Sequence, residues 1–329
     1  MNNKKSVLFI SPAFFGYEKS IKNAIVENGY NVDYFDERPS NNALMKALVR
    51  TQKKAFDMIL KNHFQKVKEQ IKDKKYDYFL LIKGEVTPES FILEFKKNNP
   101  SAKLIYYTYD ASNNNSPNGV FIQKYFDSCY SIDFWDVENN PHLKLKHLFF
   151  SKEFLQDYSL TTQKRIYDIS FVGTLHSNRY KVMRKTFEKF ENSYLFLYSP
   201  AQWWFLYNKI FNKDYRGIDR STVSFKKMDL QQVASVFKSS KSVLDIQRYG
   251  QAGLTMRTFE VLASGAVLIT TNPYIKQADF YDEKNIVCIE DDISKDKIAE
   301  AKLKILNPIV KNIKLEKYCV NIWVREFFE

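Results

Sequence analysis

The sequence predicts an α/β protein built from two doubly wound domains, and three observations carry that expectation. Short apolar, β-branched runs alternate with amphipathic stretches along most of the chain, the pattern of parallel sheets covered by helices. A chain of 329 residues is long for one core and natural for two domains of roughly 150 residues each. The third observation is one stretch, residues 254–272, reading LTMRTFEVLASGAVLITTN.

In that stretch Met256, Phe259, Leu262 and Ala263 recur at i, i+3 and i+4 spacing and mark the apolar face of a helix. Arg257, Glu260 and Ser264 are expected on the opposite side. Gly265 sits where a helix end takes positive φ, and residues 266–271 then read as a buried strand. Residues 242–247 form a second strand upstream, joined to the helix by the loop Arg248-Tyr249-Gly250-Gln251-Ala252-Gly253. The result is a βαβ unit whose helix N-terminus suits an anion. A purely structural reading gives a packed unit with an Arg257–Glu260 surface pair, worth about a few tenths of a kcal/mol.

The chain opens with a strand over residues 5–11 and a loop, residues 12–16, whose single glycine is too few for a dinucleotide fingerprint. A helix over 17–28 ends at Gly29, and a strand follows over 31–35. Residues 41–72 form a long lysine-rich helical stretch with a break near Asn62. A buried strand over 76–82 closes on Lys83-Gly84-Glu85, after which Thr87 caps a helix with Pro88 in its first position. The strand 103–108 ends at Tyr109-Asp110 before a polar loop, and a short helix (121–126) and a strand (128–134) follow. Residues 135–160 lose clear period and mark the crossing between domains, 1–150 and 151–312. In the second domain a strand over 167–172 leads into Gly173-Thr174-Leu175-His176-Ser177-Asn178-Arg179 and a basic helix over 180–190. Further strands are expected at 194–198, 223–225 and 285–289. Helices are expected over 200–211, from Asp229 to 238, from Ser294 to 306 and over 315–328.

Composition bounds the function classes. No apolar run reaches the ~18 residues of a membrane span, and residues 7–10 are too short for a signal-peptide core. Cys129, Cys288 and Cys319 are scattered without zinc or redox spacing, which fits a reduced, cytoplasmic compartment. The net charge of +12 opens nucleic acid, an anionic membrane face and phosphorylated ligands as partners. The lysines are spread along the chain, no nucleic-acid motif accompanies them, and a solvated surface explains most; nucleic acid is set aside. The aromatic segment 202–211 (QWWFLYNKIF) has the residues of a membrane interface, but its thin polar face favours a core helix buried on one side.

Polar loops at strand ends are where such folds bind ligands. Gly173, His176, Arg179 and Arg248 suit a diphosphate, because glycine lets the backbone approach and the cations supply charge-assisted hydrogen bonds. Glu260 beside such a site is explained by hydroxyl donors, as on a ribose. Asp110 is the first candidate base and Glu85 the second, each with an alternative role in a turn. His63, His142 and His147 read as surface or packing residues. No Asp-x-Asp platform and no His/Cys cluster point to a metal, and no cofactor is expected.

The segment Phe259-Glu260-Val261-Leu262-Ala263-Ser264-Gly265, followed by a strand and Thr271-Asn272, resembles the nucleotide-sugar-binding element of GT-B glycosyltransferases. Asp168-Ile169-Ser170-Phe171-Val172-Gly173 with Arg179 is similar to the branch related to spore maturation (CgeB-like) glycosyltransferases. The resemblance covers most of residues 167–272. It implies a GT-B fold, two Rossmann-like doubly wound domains facing a central cleft, with residues 313–329 packing back on the first domain. It further implies hexosyl transfer from a nucleotide-sugar donor to a glycan or lipid-linked glycan acceptor, in cell-surface polysaccharide or glycoconjugate synthesis. That chemistry would be metal-independent and would run at the cytoplasmic face, with weak peripheral attachment to anionic membrane. Glu260 would then hold the ribose, with Arg257, Arg179 and the Gly173 backbone near the diphosphate. The second glutamate of the family's Glu-x7-Glu pattern is replaced by Ala252, which leaves retention or inversion open. A sugar-nucleotide-binding module without transfer and a sugar-nucleotide epimerase are the alternatives.

Overall fold

The computed structural model describes residues 4–39, 53–114, 116–156, 164–175, 179–247, 250–289, 295–306 and 315–329. The chain divides into two compact units, Met1–Leu148 with Val320–Glu329, and Phe149–Cys319.

The first unit alternates strand and helix: β1 (Ser6–Ser11), α1 (Tyr17–Glu27), β2 (Asn31–Asp36), α2 (Lys53–Ile71), β3 (Tyr78–Ile82), α3 (Glu89–Asn98), β4 (Lys103–Tyr107), α4 (Pro117–Phe121), β5 (Ser128–Ser131), α5 (Phe134–Asn139) and β6 (Leu143–Leu145). The strands form one parallel sheet in the order β2-β1-β3-β4-β5-β6. Strand β3 (YFLLI) is buried along its whole length, as a central parallel strand covered on both faces must be. After β1 the chain steps outward to β2, then returns past β1 to β3. The order therefore reverses between β1 and β3, and the carboxyl ends of those strands flank a natural ligand crevice.

The second unit repeats the logic: β7 (Tyr167–Thr174), α6 (Arg179–Phe187), β8 (Ser193–Tyr198), α7 (Gln202–Phe211), β9 (Val223–Ser224), α8 (Leu230–Lys238), β10 (Ser240–Asp245), α9 (Met256–Ala263), β11 (Val267–Thr270), β12 (Ile286–Cys288) and α10 (Lys295–Leu306). Its sheet, also parallel, runs β12-β11-β10-β7-β8-β9, so the reversal falls between β7 and β10. Ile169, Phe171, Leu244, Val267 and Ile269 fill the core beneath its helices.

The chain then returns to the first unit as α11 (Val320–Arg325). Trp323 is 1% exposed; its ring meets Tyr107 edge-on at 5.1 Å, and its Nε1 donates to the His147 carbonyl at 2.8 Å. The Asn28 side chain donates to the Asn321 carbonyl at 2.9 Å, tying α1 to the same segment.

Several local expectations change. Helix α2 runs unbroken through Asn62, and residues 40–52 lie outside the described residues. Helix α3 starts at Glu89 with Pro88 as its cap, and the Thr87 hydroxyl donates to Glu37. The continuous last helix is instead a short turn, Glu316–Tyr318, then extended Cys319, then α11. Residues 135–160 contain α5, capped by Asp133 through the N–H groups of Trp135 and Asp136, and the short edge strand β6. The largest change is α7. It is not a core helix: among its residues only Phe205 is buried, while Trp203, Trp204, Leu206, Tyr207, Ile210 and Phe211 are exposed.

Candidate functional site

In the second unit the reversal between β7 and β10 gathers the loop ends that the sequence singled out. Strand β10 ends at Asp245, whose side chain is 1% exposed and fully engaged. One carboxylate oxygen accepts from Arg257 Nη1 at 3.1 Å; the other accepts from the Thr255 and Thr258 hydroxyls at 3.0 and 3.2 Å. Arg257 Nη2 donates to the Val172 carbonyl at 2.6 Å, and the guanidinium lies 5.0 Å from the Phe171 ring centroid. One arginine therefore ties the ends of β7 and β10 to the first turn of α9. Gly173 is needed for that closeness: a Cβ there would stand 3.0 Å from Arg257 Nη2 and 3.0 Å from the Phe171 ring. Those contacts are tighter than carbon normally tolerates.

Glu260 lies one turn beyond Arg257 and is 4% exposed, within a helix buried from Thr258 to Ala263. The expected polar face with an Arg257–Glu260 surface pair is therefore corrected. The helix is enclosed on all sides, and Arg257 is paired with Asp245 instead. The preceding loop is packed as well: Ala252 is fully buried, and the Asn272 side chain donates to the carbonyls of Ala252 and Gly253 at 3.4 and 3.2 Å. His176 and Arg248 lie outside the described residues; Arg179 opens α6, with its side chain likewise outside them.

The first unit builds a different cluster at the carboxyl ends of β1–β4. Lys83 follows β3 with φ +74°, unusual for a non-glycine residue, and Gly84 continues the turn at +64°. That turn stands the Lys83 ammonium between two carboxylates, 2.8 Å from Asp110 and 3.0 Å from Glu85. Arg38, just past β2, pairs with the other Glu85 oxygen. Burial alone would lower the Lys83 pKa, but Asp110 and Glu85 outweigh it and hold it above the ordinary lysine value. Burial would likewise raise Glu85, yet Lys83 and Arg38 hold it below the usual carboxylate range. A carboxylate so held is a weak base. Beneath the cluster Glu37 is fully buried. One oxygen accepts from Val86 N–H, Thr87 N–H and the Thr87 hydroxyl at 2.8, 3.0 and 2.9 Å; among the described residues the other has no hydrogen-bond partner. Burial pushes this carboxyl up to about 7 despite those bonds. Phe14 and Phe15 stand at the end of β1, 48% and 42% exposed, with Phe14 6.4 Å from the Tyr109 ring.

Sequence reasoning missed Asp245, Glu37 and Arg38, and placed Lys83 in a strand-end loop without giving it a role. Asp245 did carry a signal: an acid closing an otherwise apolar buried strand, with threonines at the start of the next helix. His63 and His142 serve packing, bonding the Asp36 carbonyl at 2.9 Å and the Gln123 side chain at 3.0 Å. A groove of about 500 Å³ lined by Ser6, Asn31, Asp33, Lys74 and Tyr76 lies at the amino ends of β1 and β2, away from this chemistry. Among the described residues no group of three or more His, Cys, Asp or Glu could hold a metal, and no helix is long and apolar enough to cross a membrane.

Comparison with known structures identifies the architecture. The fold is GT-B. A glycosyltransferase from Rickettsia africae ESF-5 aligns over 99% of this chain and 97% of its own, with a TM-score of 0.58 at 12% identity. AviGT4, a glycosyltransferase of avilamycin A biosynthesis, aligns over 98% and 96%, with a TM-score of 0.62 at 10% identity. The UDP-GlcNAc 2-epimerase of Neisseria meningitidis, solved with UDP-GlcNAc, aligns over 98% of each chain, with a TM-score of 0.55 at 10% identity. Residues 201–307 match a family described as glycosyl transferase-like. That segment carries Asp245, Arg257 and Glu260 of the GT-B second unit. No curated protein matches the chain by sequence.

Proposed function

We propose that the chain transfers a hexosyl group from a nucleotide-sugar donor to a hydroxyl of a glycan or lipid-linked glycan, without a metal ion, in cell-surface polysaccharide or glycoconjugate synthesis. The observation that carries this reading is the strand-end site of the second unit, where Gly173, Arg257 and buried Glu260 gather at the β7/β10 reversal within or beside the family match.

In this reading the diphosphate lies over the Gly173 backbone and the N-terminus of α9. The bonds to Asp245 and Val172 use two of the five guanidinium N–H donors of Arg257, which leaves donors for a phosphate oxygen. Asp245 fixes the guanidinium so that it meets the charge developing on the leaving diphosphate without reorganising. Glu260 accepts from the ribose hydroxyls. The acceptor hydroxyl forms a new bond to the anomeric carbon as the bond to the diphosphate breaks, and the diphosphate leaves with the electron pair. Asp110 takes the hydroxyl proton, and Lys83 holds that carboxylate in place at 2.8 Å. The exposed Phe14 and Phe15 rings supply an apolar platform on which an acceptor sugar can stack.

Thermal shifts against UDP-, GDP-, dTDP- and CMP-sugars test donor use; no shift with any of them overturns the reading. Glu260→Ala should sharply weaken donor binding, and unchanged affinity by calorimetry removes its ribose role. Asp110→Asn should abolish turnover while sparing donor binding; full activity in that variant removes it as base.

One observation favours a second reading. Both candidate carboxylates are tied to Lys83, and a carboxylate engaged by a cation is a poor base for an acceptor hydroxyl, which favours sugar-nucleotide binding or epimerisation over transfer. Chromatography of a sugar nucleotide incubated with the protein separates them: an epimer without acceptor supports epimerisation, and an unchanged donor with acceptor present supports binding alone.

A further inference from the structure

Helix α7 (Gln202–Phe211) is turned inside out. With 3.6 residues per turn, Leu206, Ile210, Trp203, Tyr207, Phe211 and Trp204 fall in succession around one side of the helix. All six face solvent, with Trp203 and Ile210 65% exposed and Phe211 69% exposed. The side toward the protein holds Phe205; the helix's only charge, Lys209, is exposed beside it and donates to the Ile218 carbonyl at 3.1 Å. A surface helix normally turns its apolar residues inward, not outward. The exposed rings also support one another: Trp204 stacks on Tyr207 at 6.1 Å, and Tyr207 meets Phe211 at 4.8 Å. A preorganised apolar face of this kind marks a contact surface.

We propose that this face docks the protein on an anionic lipid surface, with α7 lying in the headgroup layer. Three observations select lipid. Tryptophan and tyrosine, with apolar rings and one polar atom each, are the side chains of membrane interfaces. The helix carries no acidic residue. The segment that follows exposes Lys213, Arg216, Arg220, Lys226 and Lys227 against only three exposed acids, Asp214, Asp219 and Asp229. An apolar aromatic face beside excess cations complements anionic headgroups. A second copy of the chain fits less well, because a two-fold interface would bring the same cations together.

Co-sedimentation of the full protein with vesicles tests this. The protein should pellet with phosphatidylcholine vesicles containing phosphatidylglycerol, with a blue shift of tryptophan emission. Trp203→Ser/Phe211→Ser should abolish both, and because these side chains are 65% and 69% exposed the fold should be retained, as unchanged circular dichroism would show. Lys213→Gln/Arg216→Gln should weaken partitioning roughly thirtyfold. Failure to pellet, equal pelleting with pure phosphatidylcholine, or unchanged pelleting of the double serine variant overturns the proposal. Self-association in sedimentation velocity that the same variant abolishes also overturns it and assigns the face to a second copy. Donor binding is expected to be unchanged in every variant, so the result is independent of the proposed glycosyl transfer.

Discussion

Asp245 and Asp110 both stand at the end of a parallel strand beside a cation, yet their surroundings make them different devices. Asp245 is 1% exposed and spends every oxygen on Arg257, Thr255 and Thr258. Asp110 is 32% exposed, and its partner Lys83 is shared with Glu85. The second unit uses burial to fix an arginine rigidly. The first unit leaves its acids within reach of solvent and ties both to a shared ammonium. An enclosed pair resists rearrangement because desolvation makes a lone charge costly; a half-exposed one can exchange partners with a ligand.

The sharpest way to break that contrast is to remove both acids. Asp245→Ala should cost about 3–5 kcal/mol in the unfolding of the second unit, because the Arg257 guanidinium loses the one carboxylate it pairs with among the described residues. Asp110→Ala should cost about 1 kcal/mol or less. Equal losses in urea titrations would end the distinction. Next comes Glu37. Its carboxyl is raised from 4.5 to about 7 in the fold, so the folded state binds this proton more tightly than the unfolded state. Its contribution to stability is full below about pH 4.5 and is lost as pH rises through about 7, an effect of roughly 3 kcal/mol. Glu37→Gln keeps the shape and should flatten that part of the melting-temperature profile between pH 5 and 8; an unchanged slope would place the titration elsewhere.

Gly173→Ala forces a methyl group against Arg257 and Phe171 and should cost about 1–3 kcal/mol, with a matching loss of donor affinity by calorimetry. The guanidinium is held by Asp245 and the Val172 carbonyl, and the Phe171 ring, buried in the core, cannot give way. The smallest effect is expected from Glu85→Gln. As Glu85 is held ionised by two cations, its loss should change turnover by about 1 kcal/mol or less, whereas abolished turnover would make it the base in place of Asp110.

Much of the architecture was legible because buried parallel strands are written as short apolar runs, and YFLLI or VLIT has few other uses. Strand β6 escaped because its sequence, LKL, is short and exposes two of its three residues at a sheet edge. Helix α7 was misjudged for a deeper reason: an apolar stripe does not state which way it points. What turns it outward is Phe205 packing near Tyr215 and Phe225, contacts set by residues further along the chain. At the candidate site Gly173, Arg257 and Glu260 stood out locally through glycine and charge. Their physical setting did not, since the bond from Arg257 to Val172 spans 85 positions in sequence. Asp245 read as one more residue inside the strand 242–247 until its three donors appeared around it.

The return of Val320–Glu329 to the first unit has a consequence for biosynthesis. Tyr30, Tyr78 and Tyr107 emerge early from the ribosome, yet the rings that cover them, Phe328, Trp323 and Phe327, are translated only after the whole of Phe149–Cys319. At ordinary elongation rates that interval is on the order of 10 s, long compared with the folding of a small domain. The half of the protein made first is thus the last to be closed. Until residues 320–329 are made, it presents a tyrosine-lined face to solvent, where a chaperone or a wrong neighbour can meet it before that segment does.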